Sequence, residues 1–364
     1  MKKKFKLLGV VIFLSFVAIC CKEQLNNDGE KEQSAGQWSV EKAQLWAEKT
    51  GWLNGCNFQP STAVNQLEMW QEETFDSFTI DRELGMAEEL GFNVMRVYLH
   101  SYAWKQDPEG LKKRIDQYLT ISNNHGISTM MAFFDDCWVE NSKPGKQPEP
   151  LIGVHNSQWL HDPSCDLRND TINLFPWLEE YVKDILIAFK DDKRVIVWDL
   201  YNEPGNTEHG NNSLPLLRNA FKWAREVNPS QPLTAGVWRL DLYDLNAFQL
   251  QNSDIITYHQ YENPEKHWVW MSLLKTYDRP MICTEYMARQ FNSKFQNILP
   301  MLKDNNVGAI NWGFVSGKTN TMYKWLDTIP DGSEPDPWFH DILRKDGTPY
   351  DQEEIDIIKQ LNGK

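Results

Sequence analysis

The sequence is short of several things that other functions require. None of its six cysteines forms a C-x-x-C pair and no histidine stands at zinc-finger spacing from a cysteine, so a structural zinc site is not expected. There is no His-x-His, the pair that a metal-dependent barrel hydrolase carries on its first strand. No G-x-G-x-x-G follows an apolar run, which removes the support for dinucleotide binding. Neither a metal nor a cofactor is expected. Basic charge is also scarce, with 37 Lys and Arg against 51 Asp and Glu and a net charge of −14. Without the four amino-terminal lysines Lys2, Lys3, Lys4 and Lys6, that −14 becomes −18. Such a surface repels phosphate backbones, so nucleic acid is excluded as a partner.

What is present begins with "MKKKFKLLGVVIFLSFVAICC". A basic head precedes an apolar run, Leu7 to Ile19, that falls short of the ~20 residues a spanning helix needs, so residues 1–21 read as an export signal. Small and apolar residues running into Cys20 and Cys21 resemble a bacterial lipoprotein signal, in which one cysteine becomes the lipidated amino terminus. An ordinary cleaved signal is the alternative. The first reading places the protein outside the cytoplasm, anchored to an outer or cell membrane at its periplasmic or outer face. Residues 22–37 are polar and read as a flexible tether, leaving 38–364 for the folded part. Of the later cysteines, Cys137 and Cys165 share one long polar segment and could bridge in an oxidising compartment. Cys56 and Cys283 lie in apolar runs and read as buried thiols.

The 364 residues, 41% hydrophobic, can bury a sizeable core. Eight apolar runs recur: Trp52–Phe58, Phe92–Leu99, Ile127–Phe134, Val195–Tyr201, Pro232–Trp238, Asp254–Tyr261, Pro280–Tyr286 and Val307–Phe314. Helical periodicity fills most gaps, at Ile80–Leu90, Gly110–Asn124, Trp177–Lys190, Leu214–Val227, Pro264–Tyr277, Ser293–Asn305 and Gln352–Leu361. Strands alternating with helices pair in parallel through crossovers, and eight such units predict a single α/β domain, a closed (β/α)8 TIM barrel. Long connections follow the third and eighth strands, and loops of that length are usually functional.

A barrel of this kind builds its site at the carboxyl ends of the strands. Those ends carry Arg96 and His100; Asp135, Asp136 and Trp138; Asn202 and Glu203; Trp238 and Arg239; His259 and Tyr261; Glu285 and Tyr286; and Trp312. Ionisable groups seldom follow buried strands unless something pairs or uses them. Two carboxylates facing each other across the mouth suit chemistry at an acetal: one protonates the leaving oxygen, the other attacks or stabilises the oxocarbenium-like centre.

"YNEP" ending the fourth strand, "TEY" the seventh, "MRVYLH" the second, "YHQY" on the sixth and "NWG" on the eighth resemble the retaining β-glycosidases of the large (β/α)8 clan, nearest to glycoside hydrolase family 5. The resemblance spans about Trp52 to Phe314. It implies Glu203 as acid/base and Glu285 as nucleophile, with Arg96 holding the nucleophile, Asn202 on the sugar 2-hydroxyl, His259 and Tyr261 against the two carboxylates, and Trp312 as a stacking floor. It also implies a carbohydrate substrate and no cofactor. Blander readings stand beside these. Glu203 could cap a loop, Glu285 could merely pair with Arg96, and His100 could be a core histidine. Asp135 and Asp136 could bind a hydroxyl or hold a loop. Trp138, Trp238 and Trp325 could stack on sugar or fill the core. A barrel that binds glycan without cleaving it is the alternative function. Under the hydrolytic reading Glu203 stays protonated beside a negative Glu285, whose charge is expected to raise its pKa.

Overall fold

The computed structural model describes residues 36–168 and 170–364. The signal, Cys20 and Cys21, and the tether up to residue 35 lie outside the described residues. Eight strands appear in the eight expected runs: β1 Asn54–Asn57, β2 Val94–Tyr98, β3 Ser128–Asp135, β4 Val195–Asn202, β5 Leu233–Thr234, β6 Ile256–His259, β7 Met281–Glu285 and β8 Gly308–Asn311. They form one parallel sheet in the order β5-β4-β3-β2-β1-β8-β7-β6. The two ends meet through the parallel bridge Val237–Tyr258 and the bonds from Val237 N to Thr257 O and His259 N to Val237 O, both 3.0 Å. Thr234 Oγ1 adds a hydrogen bond to Ile255 O. The barrel is thereby closed, with β5 shrunk to two residues where a longer strand was expected.

Helices cover the outside: α1 Val40–Thr50, α2 Gln66–Trp70, α3 Ser77–Leu90, α4 Ser101–Gln106, α5 Pro108–Asn124, α6 Thr171–Phe189, α7 Leu214–Val227, α8 Tyr243–Asn252, α9 Pro264–Leu274, α10 Phe295–Asp304 and α11 Gln352–Asn362. Among the described residues no helix is long and apolar enough to cross a membrane. Helix α6 starts before Pro176, where the expected start followed it, because Asp170 caps the earlier turn by accepting from Asn173 N. Helix α8 was not anticipated; only Leu245, Asn246 and Gln249 are buried along it, too sparse an apolar stripe to read from periodicity. Helix α1 was also missed. It seals the amino-terminal end of the barrel, where Trp38 and Ala43 pack with Leu53, Val94, Met130, Val197, Ile282 and Ile310, and Trp38 N donates to Asp254.

Among the described residues, the connections after β3 and β8 contain no α-helix until α6 and α11, and they interlock. Val154 bridges Thr328, Asn156 N donates to Thr319 O at 2.8 Å and Ile329 N to Gly153 O at 3.1 Å. Gly153, at φ +66°, is required here: a Cβ would lie 1.9 Å from the Ile329 carbonyl oxygen. Cys137 and Cys165, considered for a bridge, are both free thiols with separate partners, as are Cys56 and Cys283, which are buried as expected.

Candidate active site

Strand β2 sends Arg96 and Tyr98, two residues apart, to the same inner face. Arg96 is the hub. Its Nε and Nη2 donate to Asp199 at 3.0 and 2.7 Å, Nη2 also to Asn202 Oδ1 at 2.7 Å, and Nη1 to Asn57 Oδ1 at 2.8 Å and Glu285 Oε1 at 3.2 Å. The Tyr98 hydroxyl touches Nη1 and donates to Glu285 Oε1 at 3.0 Å. From the turn after β6, Tyr261 OH donates to the other oxygen of Glu285 at 2.7 Å. Glu285 therefore stands among three donors, one a permanent cation.

Glu203 follows β4 with φ at +44°, a left-handed conformation that costs on the order of 1 kcal/mol for a residue with a Cβ. Trp138 after β3 and Met287 after β7 share this strain, at φ 70° and 77°. The turn directs the Glu203 carboxyl back over the mouth, where His259 Nδ1 lies 2.7 Å from Oε1. Asn206 Nδ2 donates to Oε2 at 2.5 Å and the Cys137 thiol approaches it at 3.3 Å. Donor atoms of Glu203, His259 and Glu285 all lie within 4.8 Å of one another.

Burial raises both carboxyls above their ordinary range. For Glu203 the leading cause is burial, where the charge of Glu285 had been expected to raise it; Cys137 and Asn206 oppose the rise by hydrogen bonding. For Glu285 the charge of Glu203 adds to the rise, while His259, Arg96 and Tyr261 pull it down. Burial pushes His259 down to about 4, so its ring is neutral near pH 7. Asp135, sealed beneath this layer, is pushed up to about 8 by burial against hydrogen bonds from Trp159 and Asn202.

Of the residues expected at the site, Arg96, Asn202, Glu203, His259, Tyr261 and Glu285 come together in one hydrogen-bonded group. Trp312 joins through Tyr98 and Trp159, edge-on at 5.9 and 5.3 Å, and Trp138 packs on the same aromatic cluster. Trp325 meets the Tyr261 ring at 4.7 Å. Trp238 is half-buried and donates to Pro204 O at 3.1 Å, beside Glu203. Two expected residues stand apart. His100 is fully buried; its Nδ1 accepts from Tyr102 N at the start of α4, its ring stacks on Tyr102, and burial holds it down at about 3, so the core reading describes it. Asp136 is also fully buried and is taken up by Arg168, Tyr201 OH, Ser213 and Gly205 N, tying the loop after β3 to the one after β4. Asp135 likewise serves the interior, accepting from Trp159 Nε1 and Asn202 Nδ2.

Sequence reasoning missed Tyr98, Asn57, Asp199, Asn206 and Cys137. Tyr98 carried a signal, since it alternates with Arg96 on one strand. Asn206 and Cys137 carried none, because loop folding brings them to Glu203.

Residues 54–318 match the sequence pattern of the cellulase family, glycosyl hydrolase family 5. The chain belongs to glycosyl hydrolase family 5. As a family 5 member it is a glycosidase that hydrolyses O-glycosyl bonds. No curated protein matches it in sequence. Solved structures share the fold at low identity. The GH5_18 protein of Streptomyces cattleya, in complex with Manβ1-4GlcNAc, is 12% identical with a TM-score of 0.59, over 85% of this chain and 80% of that one. The endo-1,4-β-D-mannanase of Thermotoga petrophila is 13% identical with a TM-score of 0.54, over 85% and 100%. An exo-β-1,4-mannosidase from an Opitutaceae bacterium is 15% identical with a TM-score of 0.58, over 92% of this chain and 62% of that one.

Proposed function

We propose that this family 5 member is a retaining hydrolase of β-linked oligo- or polysaccharides, working by double displacement. The observation that carries the reading is the approach of the Glu203 and Glu285 oxygens to within 4.8 Å, close to the ~5–5.5 Å of a nucleophile and acid/base pair and too narrow for the intervening water of an inverting site. The partners assign the roles. Donation from Arg96, Tyr98 and Tyr261 favours an ionised Glu285 as nucleophile. A proton on Glu203 Oε1 faces neutral His259, which can accept it, so Glu203 suits the acid.

In the first step Glu203 gives its proton to the glycosidic oxygen as Glu285 attacks the anomeric carbon, forming a glycosyl ester and releasing the leaving alcohol. In the second, Glu203 takes a proton from water, which displaces Glu285 and restores both carboxyls. Trp312, Trp138, Trp238 and Trp325 supply aromatic faces for sugar rings around the mouth. Export and lipid anchoring through Cys20 or Cys21 complete the reading, placing the barrel where polymeric glycans are met.

The test is hydrolysis of aryl β-glycosides and β-glucan, β-mannan and β-xylan polymers by the native chain, Glu203→Ala and Glu285→Ala, with azide added. Both variants should lose activity, with azide yielding a β-glycosyl azide from Glu203→Ala and an α-glycosyl azide from Glu285→Ala. Full activity in either variant, or inverted product from the native enzyme, would reject the assignment.

A further inference from the structure

On the far side of the Asp136 tie lies a second group of metal-type donors. His161 and Cys165 come from the loop after β3, and His209 from the loop after β4. His161 Nδ1 lies 3.0 Å from Cys165 Sγ, and Sγ lies 3.3 Å from His209 Nε2. The three donor atoms fall within 4.8 Å of one another. No histidine was expected at metal-ligand spacing from a cysteine, yet His161 and Cys165 stand four residues apart in "HDPSC"; the third member arrives from another loop and carries no local signal.

We infer that His161, Cys165 and His209 form a site for one borderline-soft divalent cation of the zinc class, which fastens the two loops flanking Glu203. A tetrahedral zinc with Zn–S of about 2.3 Å and Zn–N of about 2.0–2.1 Å sets its sulfur and nitrogen ligands roughly 3.5 Å apart. The 3.0 and 3.3 Å separations meet that with shifts of a few tenths of an ångström. The donor set, one thiolate and two imidazoles, suits zinc better than a hard oxygen-seeking ion.

Tautomer geometry favours it too. Thr207 Oγ1 spends its one hydrogen on the Asp136 carbonyl at 2.8 Å, so toward His161 Nε2, 3.2 Å away, it can only accept. That places the ring proton on Nε2 and leaves the Nδ1 lone pair aimed at Cys165, the outer hydrogen bond that orients a ligating histidine. Burial keeps His161 neutral, at about 3, and also lowers His209. The Arg168 charge nearby is already taken up by Asp136, while Glu140 acts electrostatically on both Cys165 and His209. His209 and Cys165 are partly exposed, which leaves a way in and a fourth position for water. Binding exchanges the thiol proton, released to solvent, for a metal–sulfur bond, and leaves the proton of His209 on Nδ1.

Because Glu203, His259 and Glu285 could compete for a cation and Cys137 lies beside Glu203, the test must tell the two thiols apart. The full chain, stripped with a chelator, is titrated with Co2+ while the thiolate-to-cobalt charge-transfer band is followed, and zinc content is counted after dialysis. One equivalent should bind, with the band kept in Cys137→Ala, lost in Cys165→Ala and needing at least tenfold more cobalt in His209→Ala. Zinc should raise the melting temperature of the native chain by several degrees and leave that of Cys165→Ala unmoved. No band and less than a tenth of an equivalent of zinc in the native chain would overturn the site, whatever the variants do. A band that follows Cys137 would overturn it as well.

Discussion

At the scale of single residues, the site is organised by which side chains donate to Glu285. Arg96, Tyr98 and Tyr261 surround Glu285, and each bond is worth more to the carboxylate than to the acid. Tyr261→Phe removes one such bond without opening much space. A hydrogen bond to a charged group contributes ~1.5–3 kcal/mol, so kcat/KM should drop roughly tenfold to a hundredfold. Tyr261 lowers the pKa of Glu285, so its loss lets that pKa climb and the acid limb of the pH–rate profile should move to higher pH. A profile unmoved and a rate within twofold of native would show that the hydroxyl does not hold Glu285. Much of this chemistry was legible in the sequence, because Asn202, His259 and Glu285 end strands, Glu203 and Tyr261 follow them within two residues, Arg96 lies on β2, and a barrel delivers strand ends to one mouth. Polarity at a strand end was nonetheless an incomplete guide. His100 and Asp136 share it but turn into the interior, where one caps a helix and the other ties loops. The contacts of Asn206 and Cys137 with Glu203 depend on loop paths that no local pattern encodes.

At the scale of elements, apolar runs between helical stretches located all eight strands, since a strand buried on both faces reads as continuous hydrophobicity. Elements with weak stripes escaped: α8 buries few apolar positions, and α1 is a plug whose role depends on the finished barrel. The loops after β3 and β8 were recognisable as long but not as a pair, because their contact joins residues such as Gly153 and Ile329 far apart in the chain. That contact yields a sharp expectation. Gly153→Ala places a Cβ on the Ile329 carbonyl and imposes a positive φ on alanine, so the loops should part at a cost on the order of 2 kcal/mol. Limited proteolysis should then cut within residues 140–165 or 318–336 well before the barrel helices, and the melting temperature should fall by a few degrees. If digestion and melting match the native chain, the two loops do not depend on this close approach.

Taken whole, the molecule buries many ionisable groups, and above about pH 7.5 those that still titrate pull one way. The histidines that burial depresses, His100, His155, His161, His209, His259, His267 and His340, are neutral in the folded chain, but in the unfolded chain they lose their protons around pH 6.5, so they oppose the trend below about pH 7.5 and fall silent above it. Asp162 and Asp135 remain, pushed up to about 7 and about 8 by burial. A carboxyl whose folded pKa is raised contributes stability that is complete below its unfolded pKa and is lost as pH climbs through the folded value. His125, which burial lowers but Glu88 and Asp81 raise by more, adds to that loss. Each proton held by the folded state alone changes stability by about 1.4 kcal/mol per pH unit. The melting temperature should therefore decline from about pH 7.5 to 8.5 at constant ionic strength. The acidic surface would produce some decline by self-repulsion alone, so the informative comparison is Asp162→Asn, which keeps an acceptor for Ser101 N and nothing to ionise. Relative to the native chain its melting temperature should rise as pH climbs through 7, and the two curves should run parallel above pH 8. Identical slopes would show that Asp162 does not carry the proton assigned to it, and that the alkaline loss comes from surface charge.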